Sequence, residues 1–263
     1  MKPLIALISD FGLRDNFVGV LKAVMLGIAP RARIVDISHG VPRHDIRAAA
    51  FLLASSVSYF PRGTVFVSVV DPGVGSGRRA IAMRSRNYYF IGPDNGISSI
   101  AAAHDGIKKV VVLENKRYFR KSISSTFHGR DIFAPVAAHL ACGVSLERFG
   151  RPTIQHHAIG IPAPAIRADM LCGETIHIDV FGNVITNITK KDLVNFIRRK
   201  RFKAQLARKK ITRLASSYAA AGPGPFFIEG SFGFLEVSMA HKSAARYFSL
   251  RGSRGVPVII RRA

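Results

Sequence analysis

The sequence predicts an α/β N-terminal domain with a mostly parallel sheet, followed by a smaller all-β, barrel-like C-terminal domain. Three observations carry this. Short β-branched runs alternate with helical runs through the first half of the chain. A proline-bearing stretch with no clear period follows at 150–172. Beyond it, short strand-like runs are separated by Gly-rich turns. The boundary is placed to give domains 1–160 and 161–263.

In chain order, Pro3–Ser9, Arg33–Ile37, Thr64–Val70 and Lys109–Leu113 read as strands bounded by turn residues. Asn16–Ile28, His44–Tyr59 and Asp131–Ala141 carry apolar residues at three- and four-residue spacing and read as helices. Strands alternating with helices argue for a sheet covered on both faces. Residues 79–91 read as a hairpin. Pro152, Pro162 and Pro164 mark the linker. After it, Glu174–Val180, Val184–Ile188, Pro225–Ile228, Phe234–Met239 and Val256–Ile260 read as strands of a small sandwich or barrel.

The chain has 263 residues, 48% of them hydrophobic, so a core forms without staples. Two cysteines, Cys142 and Cys172, exclude a disulfide framework and point to a reducing cytoplasm. No apolar run is long enough to span a membrane. The opening MKPLIALISDFG reads as a buried first strand and not as a signal peptide. Net charge is +23, unevenly spread: residues 196–263 hold 15 Lys/Arg against Glu229 and Glu236, a balance of +13. The block from Arg198 to Arg213 either attracts nucleic acid or anionic lipid, or is a solvated face; the solvated face is the simpler reading.

Four constellations can carry chemistry. In Ser9-Asp10-Phe11-Gly12, followed by Asp15, an apolar strand ends in a carboxylate, at the edge where α/β sheets bind ligands. Asp10 there can accept both hydroxyls of a ribose; the plainer reading, a helix N-cap, is met by Asp15 alone. In Asp71-Pro-Gly-Val-Gly-Ser-Gly-Arg78-Arg79, a strand again ends in Asp, and a Gly-rich loop returns an arginine toward it. The loop is neither a Walker A nor a dinucleotide fingerprint, so a structural Asp–Arg pair stands equal to a catalytic one. In Thr126-Phe-His-Gly-Arg-Asp131, His128 precedes a helix that Asp131 is placed to cap, and it either shuttles a proton or serves as a structural hydrogen-bonder. In Asp179-Val-Phe-Gly-Asn183, continuing to Asn187, the polar groups exceed what a hairpin turn needs. No zinc spacing and no G-x-S-x-G elbow are present.

Together these residues resemble the S-adenosylmethionine (SAM) hydroxide adenosyltransferase family, relatives of the fluorinases and chlorinases. The matching pieces are Ser-Asp-Phe-Gly at 9–12, Asp-Pro-Gly-Val-Gly at 71–75, Gly-Pro-Asp-Asn-Gly at 92–96, Thr-Phe-His-Gly-Arg-Asp at 126–131, Asp-x-Phe-Gly-Asn-x-x-Thr-Asn at 179–187 and Gly-Ser-x-Gly-x-Leu-Glu at 230–236. The resemblance implies hydrolysis of SAM to adenosine and methionine, without metal or organic cofactor, by a homotrimer with active sites between neighbouring subunits. It implies Asp71, Arg78 and His128 as the catalytic set, Asp10 with Asp15 on the ribose side, Phe127 and Phe181 as apolar walls, Asn183 at adenine, Asp179 at the methionine ammonium and Ser231 at its carboxylate. The strand from Glu236 through Met239 toward His241 lies at the adenine edge in this reading. The chain departs from the family pattern at Gly230, where Asn is frequent, and after Met239, where Ala-His-Lys-Ser replaces a Gly-Asn type ending. Three other functions remain to be told apart: a halogenase, a SAM sensor and a nucleic-acid-binding protein on the same fold.

Overall fold

The computed structural model describes residues 3–250, 252 and 254–263, and the chain divides into two compact units, 1–160 and 161–263. In the first unit the elements are β1 (Leu4–Ser9), α1 (Phe17–Ile28), β2 (Arg33–Ser38), α2 (Ile46–Ser56), β3 (Val65–Val69), β4 (Ala80–Ser85), β5 (Tyr89–Pro93), α3 (Ser99–Asp105), β6 (Ile107–Val112), α4 (Ala134–Ala141) and β7 (Pro152–Thr153). They form one seven-stranded sheet in the order β2-β1-β3-β5-β4-β6-β7.

Successive strand residues point to opposite faces, and both faces are buried. Ile5, Leu7, Val65 and Val67 pack with Leu21 and Met25 of α1 and Val136 of α4. Ala6, Ile8, Phe66 and Phe90 pack on the other side with Leu53 of α2 and Ala102 of α3. This is why the strands read as continuous apolar runs.

The sheet is mixed, where the sequence predicts a mostly parallel one. β2, β1, β3 and β5 pair in parallel, whereas β5–β4, β4–β6 and β6–β7 pair antiparallel. The reason is the hairpin expected at 79–91: the three residues between β4 and β5 cannot make the crossover that a parallel pair needs. Chain order reverses at β1. β2 lies on one side of it and β3 on the other, so the C-terminal ends of β1 and β3 frame a topological switch point, the crevice where open α/β sheets bind ligands.

The second unit contains β8 (Ala165–Arg167), β9 (Met170–Ile178), β10 (Val184–Thr189), α5 (Lys190–Ile197), β11 (Phe202–Leu206), β12 (Lys209–Ile211), β13 (Leu214–Ala215), β14 (Pro225–Glu229), β15 (Phe234–Met239), α6 (Ala244–Tyr247) and β16 (Pro257–Arg262). It is not purely β. Thr189 and Asp192 form a reciprocal capping box that starts α5. The strand path is β12-β11-β16-β9-β10-β15-β14-β13, with β8 on β9. β9 serves two sheet halves: residues 170–174 pair with β16 and residues 175–178 with β10. Leu171, Val184, Phe227, Val237 and Ile260 fill the interior. The stretch 150–172 is also less irregular than expected, since it holds β7, β8 and the start of β9.

Candidate active site

Asp10 and Asp71 stand one and two residues past the ends of β1 and β3, whose last residues, Ser9 and Val69, pair directly. They line one cleft of about 360 Å³ with Asp15, Phe17, Arg43, His44, Thr126, Phe127 and His128. The sequence-predicted set Asp10, Asp15, Asp71, Phe127 and His128 therefore converges within the first unit. Arg78 does not line the cleft; it joins two residues that do.

Arg78 Nε lies 2.9 and 3.1 Å from the two Asp71 carboxylate oxygens, and Nη2 lies 2.5 Å from Oδ2. Nη2 also lies 2.7 Å from His128 Nδ1, and the guanidinium sits 5.3 Å from the Phe133 ring centroid. A guanidinium only donates, so Nδ1 of His128 must accept, and the remaining ring proton belongs on Nε2. Burial, then the neighbouring Arg78 charge, hold the His128 pKa below its usual 6.5 against the opposing pull of Asp71 and Asp131. At neutral pH His128 is a neutral imidazole.

The Gly-rich loop makes this possible. Gly75 adopts φ +76°, and a Cβ there would collide with the Ser125 carbonyl, so the loop lies directly against the segment leading to His128. Asp131 does not cap the helix as the sequence predicts. The helix begins earlier, with a π-turn over Gly129–Phe133, and Asp131 lies inside it, fully buried. Its carboxylate accepts from Arg130 Nε at 2.7 Å and Ser124 N–H at 2.9 Å. Burial pushes its pKa up, but these bonds outweigh burial and hold it low. Asp131 thus anchors the start of the Ser124–His128 segment to the helix that follows it.

Asp15 is not the N-cap of α1; Asn16 holds that position and makes no side-chain cap bond. Asp15 is left exposed on the cleft rim. Asp10 Oδ2 accepts from His44 N–H at 2.9 Å, with His44 at φ 63°. Phe11, Phe17 and Phe127 form a cluster with ring centroids 5.3–5.8 Å apart.

Several supporting residues escape sequence reasoning. Ser9 Oγ lies 2.7 Å from His39 Nδ1 and accepts from Phe11 N–H. His39 Nε2 lies 3.1 Å from Asp36 Oδ1, and Lys22 Nζ lies 2.6 Å from Asp36 Oδ2. The His39 carbonyl accepts from Gly12 N–H. His39 thereby grips the Asp10–Gly12 loop from both sides, and with Ser9 only 1% exposed the set positions the loop and offers no accessible nucleophile. Asn95 Nδ2 donates to the Val70 carbonyl at 2.8 Å, and Asp94 holds Arg79, so the Gly-Pro-Asp-Asn-Gly segment braces the strand end carrying Asp71. Ser9 and His39 are 30 residues apart in sequence, and no local spacing marks the contact.

In the second unit, Asp179 Oδ1 accepts from the N–H groups of Phe181 and Asn183, and Oδ2 accepts from Asn183 Nδ2 at 2.9 Å. Gly182, at φ +83°, is needed because a Cβ there would meet Ser243. Phe181 is 77% exposed at the tip. A cavity of about 890 Å³ is lined by Asp179, Phe181, Asn183 and Met239 together with Tyr218, His241 and Lys242. Ser231 is exposed on the β14–β15 turn and lines neither this cavity nor the cleft of the first unit. Glu236 occupies the space a side chain at residue 230 would need, which accounts for glycine at that position. Burial and the nearby Asp179 charge push the Glu236 pKa up, only partly offset by Tyr218. Among the described residues no cluster of three His, Cys, Asp or Glu could hold a metal, and no helix is long and apolar enough to cross a membrane.

Residues 5–150 match the SAM hydroxide adenosyltransferase N-terminal domain, and residues 173–256 match its C-terminal domain. The chain belongs to the SAM hydroxide adenosyltransferase family. Within that family, it is 36% identical to the (R)-S-adenosyl-L-methionine hydrolase of Thermus thermophilus over 98% of this chain and 99% of that one. It is 42% identical to the hydrolase of the same name from Salinispora tropica over 69% of this chain and 70% of that one. A fluorinase from an Actinoplanes species is 28% identical over 73% of each chain. The crystal structure of an uncharacterized conserved protein from Thermotoga maritima superposes with a TM-score of 0.91 at 36% identity, covering 98% of this chain and all of that one.

Proposed function

We propose that this enzyme hydrolyses SAM to adenosine and methionine by in-line attack of water on C5′. The observation that carries the reading is the Asp71–Arg78–His128 set, which gives a water molecule an acceptor and a donor at one end of the cleft. Asp71 accepts a proton from the water while His128 Nε2–H donates to its oxygen. Arg78 fixes both partners and favours the anionic form as charge develops. As the C5′–O bond forms, the C5′–S bond breaks, the sulfonium becomes the neutral thioether of methionine, and the water's proton passes to Asp71 and then to solvent. The sulfonium is already a good leaving group, so placement in line is the main task, and it can contribute roughly 7–11 kcal/mol. No metal or organic cofactor enters this scheme.

Asp10, fixed by the His44 amide, takes the ribose hydroxyls, with Asp15 at the rim and Phe127 as an apolar wall. Asn183 takes adenine, Asp179 the methionine ammonium and Ser231 its carboxylate; Phe181 supplies an apolar wall, and Glu236 and Met239 belong to the strand at the adenine edge. The assembly in this reading is a homotrimer with active sites between neighbouring subunits, supported by the exposed apolar tip at Val180 and Phe181. The two units correspond to the family's two domains, and free Cys142 and Cys172 suit a cytoplasmic setting. A halide nucleophile needs no proton acceptor, so a halogenase leaves the Asp71–Arg78–His128 set without a task.

The test is incubation with SAM, with and without excess chloride, followed by chromatography. Adenosine and methionine in equal amounts under both conditions are expected. A 5′-chloro nucleoside, or no turnover, overturns the reading.

A further inference from the structure

The basic block from Arg198 to Arg213 contains β11 and β12. Its alternate strand residues contribute to one outer face of the sheet. In β11, Phe202, Ala204 and Leu206 are buried while Lys203 and Gln205 are exposed. The register then decides which cations share that outer face. Lys203 pairs with Arg261 of β16, Gln205 with Lys210 of β12, and Arg261 with Met170, which in turn pairs with Arg167 of β8. Arg201, two residues before Lys203, extends the same row pattern. At about 3.3 Å per residue and 4.8 Å per strand, these five cations cover a face of about 13 by 19 Å.

Among the described residues none of the five makes an ion pair. Asp169, in the β8–β9 turn, and half-buried Glu174, at the far end of the face, lie at its border and are not bonded to it. The neighbours pointing the other way are satisfied: Lys209 bonds the Tyr247 carbonyl, and Arg262 bonds the Phe196 carbonyl and stacks on its ring.

Two features set this face apart from ordinary surface charge. Lys203 and Arg261 are directly opposed across a strand pair, where like charges destabilise a sheet and lie within one screening length of each other. The turns at both ends of β11 are also costly. Arg198 and Arg199 have φ 48° and 68°, and the two-residue β11–β12 turn places Ala207 and Arg208 at 45° and 64°. Such turns favour Asn and Gly, yet three of these four positions carry arginine.

We propose that this face binds the phosphate backbone of double-stranded nucleic acid, independently of sequence. Three of its five cations, Arg167, Arg201 and Arg261, are arginine, whose planar fork matches phosphate oxygens. It carries no exposed aromatic side chain to stack on unpaired bases. On this face Met170 and Ile259 are half-buried and the exposed apolar residues, Ala165 and Pro257, are small, so no large apolar side chain protrudes to enter a lipid headgroup layer. The contact is independent of the SAM chemistry.

The test is fluorescence anisotropy of the full chain with 20-base-pair RNA and DNA duplexes from 50 to 200 mM salt. Engaging about four phosphates predicts a log–log slope of about −3.6, a loss of affinity of roughly 10²-fold over that range. The double variant Lys203→Glu/Arg261→Glu, and separately Lys203→Ala/Arg261→Ala, is expected to weaken binding at least tenfold with SAM turnover unchanged. The charge-matched control Arg31→Glu/Lys108→Glu in the first unit is expected to bind as before. Equal loss in the control shows that net charge alone attracts the duplex and overturns the proposal. So does unchanged binding in the β11–β16 variants, or tighter binding to phosphatidylserine vesicles than to either duplex.

Discussion

In the first unit Asp71, Asp94 and Asp131 each hold an arginine at 2.5–2.7 Å, whereas in the second Arg201, Lys203, Lys210 and Arg261 are exposed and have no carboxylate partner among the described residues. The three paired carboxylates are buried, and Asp71 lines the cleft. The unpaired ones lie on an open sheet face. Buried charge has to be compensated within the protein, and the compensation fixes geometry, as it fixes the His128 tautomer through Arg78. Exposed charge needs no internal partner and remains available to an external one.

The largest effect that would break this contrast lies at the paired end. Asp71→Ala removes the proton acceptor and frees Arg78, and turnover is expected to fall by roughly 10²–10⁴-fold with little change in SAM affinity. Steady-state kinetics beside calorimetric binding checks this, and equal losses in both quantities would assign Asp71 to binding. Next is Asp131→Ala, which strands the Ser124 amide and Arg130. We expect a loss of about 3 kcal/mol in the stability of the first unit, measured by urea unfolding. An unchanged midpoint would show that this buried charge does not anchor the segment.

A smaller change is expected from His39→Ala, which loosens the Asp10–Gly12 loop without touching the cleft. KM for SAM should rise roughly tenfold, the equivalent of about 1.4 kcal/mol, with kcat nearly constant. In an Asp10→Ala background the His39 effect should vanish if it acts through Asp10; additive losses would separate the two. The smallest is a pH effect. His128 has a folded-state pKa below the unfolded 6.5, so its neutral form is the native one. Below about pH 6.5 the unfolded chain takes up a proton that the folded site resists, and stability is lost as pH falls toward the folded pKa. The kcat/KM profile should be flat above pH 6.5 and decline on the acid side, and His128→Gln should abolish that acid limb.

The parts of this account readable from sequence are those with a local signal. Buried strands such as Leu4–Ser9 and Val65–Val69 are continuous apolar runs, and the Asp residues following their ends mark the ligand edge. The alternation Phe202-Lys-Ala-Gln-Leu206 is a strand pattern as well, but the surrounding lysines and arginines mask it as a charge block. The capping box at Thr189 and Asp192 is likewise a local signature of α5 that the strand pattern around it hides. The β4–β5 hairpin that mixes the sheet reads from residues 79–91, but the antiparallel pairing of β4 with β6 joins segments that no local pattern links. The grip of His39 on Ser9 and the bond from Arg78 to His128 join residues 30 and 50 positions apart, and only the folded chain brings them together.

The central claim is that water attacks C5′ with the help of Asp71, Arg78 and His128. Its most direct test is turnover of SAM in ¹⁸O-enriched water, with mass spectrometry of both products. The account predicts one ¹⁸O at the 5′ oxygen of adenosine, none in methionine, and loss of this product in Asp71→Ala. Adenosine without the label, a halogenated nucleoside, or full activity in the variant would contradict it.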